Sequence, residues 1–257
     1  MNHPSRVNIL GVGISAVNMD TACDTIEAWI NRREPHYVCV TPVHSVMDCQ
    51  RDTELRRIQN ASGMTTPDGM PIVWICKLKG HRHVSRVYGP DLMLALCRRS
   101  VDKGFTHFFY GGADSVPEQL SQALRSKFPE LRVAGAVSPP FRPLTPEEDS
   151  AIVEHINDAN PDIVWVGLGS PKQERWMAEH RTRLAAPVLI GVGAAFDFHA
   201  GTKKQAPYCM QRSGLEWLFR LLTEPRRLWR RYLYDNPGFV ALIVLQSIGL
   251  RRYTLND

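Results

Sequence analysis

The chain has 257 residues, 44% of them hydrophobic, with a formal net charge of +5. This content excludes overall disorder, and the length suits one large domain or a domain with an appendage. The basic excess favours anionic partners, whether nucleotides, nucleic acid or an acidic membrane face, and the position of the charge must choose among them.

The first residues, "MNHPSRVNIL", lack the apolar stretch of a signal peptide. Val7–Gly11 reads as a strand, and "GVGISA" (Gly11 to Ala16) matches the G-x-G-x-x-A of a dinucleotide turn. An NAD-dependent oxidoreductase is therefore one alternative. Its context is poor, because a helix cap appears only at Asp20 and no acidic residue ends the second strand, Tyr37–Thr41. Between them Asp20–Arg32 is an amphipathic helix, with Cys23, Ile26, Trp29 and Ile30 on one face.

Thr66-Pro67-Asp68-Gly69 is a turn signal and Pro71 opens a helix. Asp68 is either a turn residue or a carboxylate at a strand end, available as general base. His81 and His83 lie in a basic loop and His199 stands alone, so the histidines form no metal constellation. Further strands are expected at Thr106–Tyr110, Arg132–Val137, Asp162–Leu168 and Val188–Val192. In "LTPEEDSAIVEHI", Thr145 caps a helix with Pro146 first and Glu148 closing a capping box. This alternation predicts an α/β, Rossmann-like body: a mainly parallel sheet with helices on both faces and ligands beyond the strands' carboxyl ends.

Three of these segments end in glycine where strand meets loop: "FFYGGADSVPEQ", "WVGLGSPKQE" and "LIGVGAAFDFHAG". The first two run into helices with Ser115 and Ser170 as expected caps. Helix starts with unpaired amides bind anions, so Gly111, Gly112, Gly169 and Ser170 are candidate phosphate contacts. Pro171 then stands first in the helix and Gln173 third after the cap. Lys172 in that first turn is unexpected, since the macrodipole favours acids there. Either Gln173 closes a capping box and Lys172 is solvated, or both face an anionic ligand.

After about residue 205 the chain is helical, rich in Arg and aromatics, and broken at Pro225 and Pro237. The expected division is a body, 1–205, and a basic helical appendage, 206–257. Arg227, Arg230 and Arg231 are spaced to share a helix face. "GFVALIVLQSIGL" (Gly238 to Leu250) falls short of the ~20 residues of a membrane span but suits a helix in a membrane interface. A nucleic-acid binder using the arginines is a second alternative; against it, the basic residues alternate with large apolar ones. The six cysteines show no C-x-x-C spacing and are expected to be buried thiols. No Asp-x-Asp is present to hold a cation on a diphosphate.

Six ordered blocks carry a resemblance: "TPDGMPIVW", "VYGPDLM", "FFYGGADSVPEQL", "GLGSPKQERWM", "GVGAAFDFHAGTKKQAP" and "GLEWLFRLLTEPRRLWRRYL". Together they resemble the WecG/TagA/CpsF glycosyltransferases, glycosyltransferase family 26, from about Val7 to Tyr234. The resemblance implies a UDP-sugar donor, an acceptor sugar on a polyprenyl diphosphate, and peripheral action at the inner face of the cytoplasmic membrane. It also implies inversion at the anomeric carbon, with neither metal nor other cofactor. Asp68 is then the base, Thr41 lies close to donor or acceptor, and Gln173 and Asp197 lie near the UDP. Arg220, Arg227 and Arg230 correspond to active-site arginines, and Arg86 precedes the Y-G-P-D-L block. The family's usual Asn after Thr-Pro is Val43 here, and "VSPPF" (Val137 to Phe141) replaces its usual loop. The donor sugar stays open, as does homo-oligomerisation.

Overall fold

The computed structural model describes residues 4–255; for Tyr208, Arg212, Arg227, Arg230 and Arg231 it describes the backbone alone. The strands are β1 (Arg6–Ile9), β2 (Val12–Ser15), β3 (His36–Thr41), β4 (Met64–Pro67), β5 (Thr106–Gly111), β6 (Arg132–Val137), β7 (Ile163–Gly167) and β8 (Val188–Gly191). Six of them form one sheet in the order β4-β3-β8-β7-β5-β6, parallel throughout.

Both faces of this sheet are covered, which is why its central strands are apolar at nearly every position. The two-residue period divides them. Val38, Val40, Phe109, Ile163, Trp165, Val188 and Ile190 face one core with helices Met19–Arg32, Gly89–Lys103 and Val116–Lys127. Tyr37, Cys39, Phe108, Tyr110, Val164, Val166 and Leu189 face the other, with helices Pro146–Asp158 and Lys172–His180. The Thr145–Glu148 capping box forms as expected.

The N-terminal reading needs correction. Val7–Gly11 begins as the expected strand, β1, but the G-x-G-x-x-A that overlaps its end is not a phosphate turn. β1 and β2 pair antiparallel as a hairpin, and Leu10 and Gly11 form its tip with φ of 53° and 81°. Gly11 thus supplies a positive φ to a two-residue turn, and its N–H bonds Asn8 Oδ1 at 2.9 Å. No helix follows that turn; the first helix begins at Met19 with Asn18, not Asp20, as its cap. The dinucleotide alternative loses its structural basis here.

The hairpin leans on the β4 edge, where Ser15 Oγ accepts the Thr65 N–H at 3.1 Å. It buries Ile9, Val12 and Ile14 in a third core with helices Val43–Arg51, Thr53–Ala61 and Met70–Leu78. The end of the chain closes this core. Helix Asn236–Ser247 contributes Phe239, Leu242 and Ile243, and Gln246 Oε1 accepts the Leu10 N–H at 3.2 Å. Pro225 marks a break as expected, since helix Glu216–Thr223 ends before it, whereas Pro237 does not, lying in the first turn of helix Asn236–Ser247. Pro225 opens the helix Pro225–Arg230, and a π-helical turn, Arg231–Asp235, runs directly into Asn236–Ser247. Five cysteines are buried, whereas Cys209 is exposed.

Phe239→Ala should therefore cost about 3 kcal/mol, the usual penalty for emptying a buried aromatic position. Urea unfolding would check this: one cooperative transition at a lower midpoint is expected.

Candidate active site

Every expected site residue with a described side chain lies at the carboxyl edge of the parallel sheet or in a segment that reaches it. The chain leaves β5 outward to β6 and leaves β7 inward to β8, so the crevice of the fold opens where β5 and β7 part. The glycines stand at this point. A Cβ on Gly111 would meet the backbone carbon of Gly167 at 2.7 Å, and one on Gly167 would meet Phe196 Cδ2 at 2.6 Å. Close approach of two strand ends and the short helix Ala195–His199 is what these glycines permit.

The amides are not all free, as expected of these turns. Gly112 N–H bonds Gly167 O at 3.1 Å. Ser115 occupies its cap position with φ 66° but makes no cap hydrogen bond; its Oγ accepts from Gln119 Nε2 at 3.2 Å instead. Ser170 is likewise no cap. The Ser170–Pro171 bond is cis, the helix begins at Lys172, and the cap position falls on Pro171, which has no side-chain acceptor. Gly169, at φ 76°, faces open space.

Gln173 is therefore not engaged in a capping box. Its side chain is turned inward over the end of β8, and its Nε2 donates to Glu174 Oε1 at 3.1 Å. It abuts Gly191, where a Cβ would meet Met177 Cε at 2.7 Å and Gln173 Nε2 at 3.1 Å. Gln173 Oε1 is buried without a hydrogen-bond partner, an uncommon state for a buried polar atom. Glu174 is fully buried, and burial pushes its carboxyl up. Ser170 Oγ lies 3.4 Å from Ser45 Oγ, linking this corner to the helix after β3. Lys172 is exposed, with Nζ 5.5 Å above the ring of Phe141, itself fully exposed in the loop after β6. Asp197 is held by Lys203 Nζ at 2.7 Å and the Thr202 hydroxyl at 3.2 Å.

The second half of the site stands at the other end of the sheet. Asp68 follows β4, and its N–H bonds Thr41 O at 3.2 Å. Thr41 itself is fully buried, its hydroxyl 3.0 Å from Gln59 Oε1. Its backbone thus places Asp68, while its side chain is engaged in the core. Arg86 Nε donates to Asp68 Oδ1 at 3.1 Å, and the same guanidinium donates through NH2 to Glu216 Oε2 at 2.5 Å. The Tyr88 ring backs that guanidinium at 4.0 Å. Burial raises Asp68 above the usual carboxylate range; Arg86 opposes this, Glu216 adds to it, and Arg220 opposes it from helix Glu216–Thr223. Arg227 and Arg230 lie on helix Pro225–Arg230, but their side chains fall outside those described.

Three strand spacings of about 4.8 Å separate β4 from β7, about 14 Å in all. Asp68 with its guanidinium and the glycine corner thus stand apart along one edge of the same sheet. A model of the glycosyl transferase WecG/TagA/CpsF family matches residues 7–253.

The chain belongs to that family.

It is a glycosyltransferase. Two relatives are each named N-acetylglucosaminyldiphosphoundecaprenol N-acetyl-beta-D-mannosaminyltransferase. One, from Bacillus spizizenii, is 31% identical over 197 residues, covering 77% of this chain and 74% of the relative. The other, from Bacillus subtilis, is 32% identical over the same shares.

Glu216 was not anticipated as a site residue of this glycosyltransferase. It precedes Arg220 by four residues, a spacing that in sequence reads as an ordinary pair within one helix. Ser45 carried no signal at all.

Arg86→Gln would leave Asp68 and Glu216 facing each other without a cation. A stability loss of about 3 kcal/mol at pH 8 is expected. It should shrink toward pH 5, because Asp68, raised by burial, takes up a proton as the pH falls and the repulsion ends. Thermal unfolding across that range would check the trend.

Proposed function

We propose that this enzyme moves one sugar unit from a UDP-sugar to an acceptor sugar carried on a polyprenyl diphosphate, with inversion and without a metal. The observation that carries the reading is Asp68: a carboxylate raised by burial, standing at a strand end between two arginine-bearing segments. The names of the two Bacillus relatives support an acceptor of the N-acetylglucosaminyl-diphospho-undecaprenol type and an N-acetylhexosamine donor. A hexose or hexuronic acid donor fits the same chemistry.

The step balances as a single displacement. An acceptor hydroxyl oxygen attacks the anomeric carbon and gives its proton to Asp68 as the new glycosidic bond forms. The bond from that carbon to the diphosphate breaks, and its electron pair leaves on UDP. An ordinary aspartate, with pKa about 3.9, is a weak base. Burial makes Asp68 a stronger one. Charge building on the leaving diphosphate is met by Lys172, by the turn around Gly169 and Ser170, and by Arg220, Arg227 and Arg230 of the appendage. Gln173, with its buried unpartnered Oε1, and Asp197 serve the nucleoside end. Thr41 acts by holding the backbone of Asp68.

The acceptor brings the enzyme to the inner face of the cytoplasmic membrane. No helix among the described residues is long and apolar enough to cross it. The appendage instead exposes Leu222, Leu233, Tyr234, Val240, Val244, Ile248 and Leu250, beside its arginines. A surface of this kind lies in an interface and gains from anionic lipid.

The decisive experiment incubates the purified protein with a panel of UDP-sugars and a short-chain polyprenyl-diphosphate N-acetylglucosamine, then weighs the product. Asp68→Asn should lower turnover by about 10²- to 10⁴-fold and leave UDP affinity within a few-fold. Wild-type turnover in that variant would remove Asp68 as base. In flotation with anionic vesicles, the double variant Val240→Asp, Val244→Asp should lose binding while keeping the fold; unchanged flotation would assign this surface another purpose.

A further inference from the structure

The appendage contributes an acid to a site whose chemistry calls for cations. We propose that Glu216 is a positioning residue, which fastens the appendage to the base through Arg86 and limits Arg86 to a one-bond contact with Asp68.

The geometry is specific. An arginine facing a lone carboxylate usually grips it with two parallel hydrogen bonds. Arg86 does not. It meets Asp68 through Nε and Oδ1 at 3.1 Å, and its NH2 is held by Glu216 Oε2 at 2.5 Å. Tyr88, stacked on the guanidinium at 4.0 Å, restrains the plane in which this division is made. The side chains of the three charged residues are only 14–16% exposed, so solvent screens the contacts weakly. Glu216 opens the helix that carries Arg220, so the same contact sets where Arg220 stands relative to Asp68.

The charges around Asp68 divide clearly. Arg86 and Arg220 favour its ionised form, and Glu216 disfavours it. Tyr88 and Asp91 also border the Arg86–Glu216 pair, and His199 stands beside Asp91. Without the Glu216 charge, Arg86 is free to turn its whole fork onto Asp68. The base is then weaker and the appendage helix has lost a tie.

The tuning half of this proposal rests on Asp68 being the base; the fastening half does not. The test therefore has separate readouts. Glu216→Gln, Glu216→Asp and Asp68→Asn are compared by kcat/KM against pH, by UDP affinity, and by the rate of proteolytic cleavage within residues 206–257. Removing a negative neighbour favours the ionised carboxylate, so the acid limb of kcat/KM in Glu216→Gln should move to lower pH. Its plateau should fall about tenfold, since a weaker base transfers the proton less well. UDP affinity should stay within twofold, appendage cleavage should accelerate several-fold, and Glu216→Asp should recover part of both effects. An unmoved acid limb overturns the tuning, and unchanged cleavage overturns the fastening. A tighter grip on UDP at undiminished kcat would overturn both, marking Glu216 as a stand-in for the substrate's own anion. Should Asp68→Asn turn over normally, the base assignment fails, and the cleavage rates alone decide the fastening.

Discussion

A single guanidinium, that of Arg86, holds two buried acids from distant parts of the chain, Asp68 after β4 and Glu216 in the appendage. Two carboxylates in so little solvent repel when both are ionised, so the cation between them stabilises this corner. Asp68 is kept near a positive charge yet above the ordinary carboxylate range, because burial outweighs the ion pair. The same contact ties helix Glu216–Thr223 to the β4 end of the sheet and brings Arg220 within electrostatic reach of Asp68.

The other end of the site is built by removing side chains. Gly111 and Gly167 let the ends of β5 and β7 close on each other and on Phe196. Gly191 makes room for Met177 and Gln173 above β8. The outcome is a crevice at the point where the strand connections diverge. Its floor is partly glycine backbone, and Gln173 Oε1 is buried there without a hydrogen-bond partner. Lys172 lies exposed on its rim.

The last helix serves two surfaces. Asn236–Ser247 is apolar around most of its circumference. It buries Phe239 in the hairpin core and presents Val240 and Val244 to the outside. A helix packed on one side and apolar on the other is neither a span nor an ordinary surface helix. The function proposed above, on a lipid-linked acceptor, gives that second face a purpose.

Much of the fold was legible, because burial of a sheet on both faces writes itself into continuous apolar strands, as in Ile163–Gly167 and Val188–Gly191. β4 was missed as a strand, being four residues long and rich in Thr. The Gly11 turn was ambiguous, since a glycine at positive φ serves a hairpin tip as readily as a phosphate loop. At the site, the residue types at the strand ends were readable: an acid after Thr-Pro, glycines, and a Lys-Gln pair. Their states were not. Capping by Ser170, free amides at Gly112 and the direction of Gln173 depend on backbone geometry and on which acceptor arrives first. The sequence by itself determined the parallel sheet, its ligand-bearing edge and the family, through local periodicity and ordered motifs. Only the tertiary structure decided that Arg86 divides its bonds between Asp68 and Glu216, for that choice joins residues 130 positions apart, and no local pattern records such a distance.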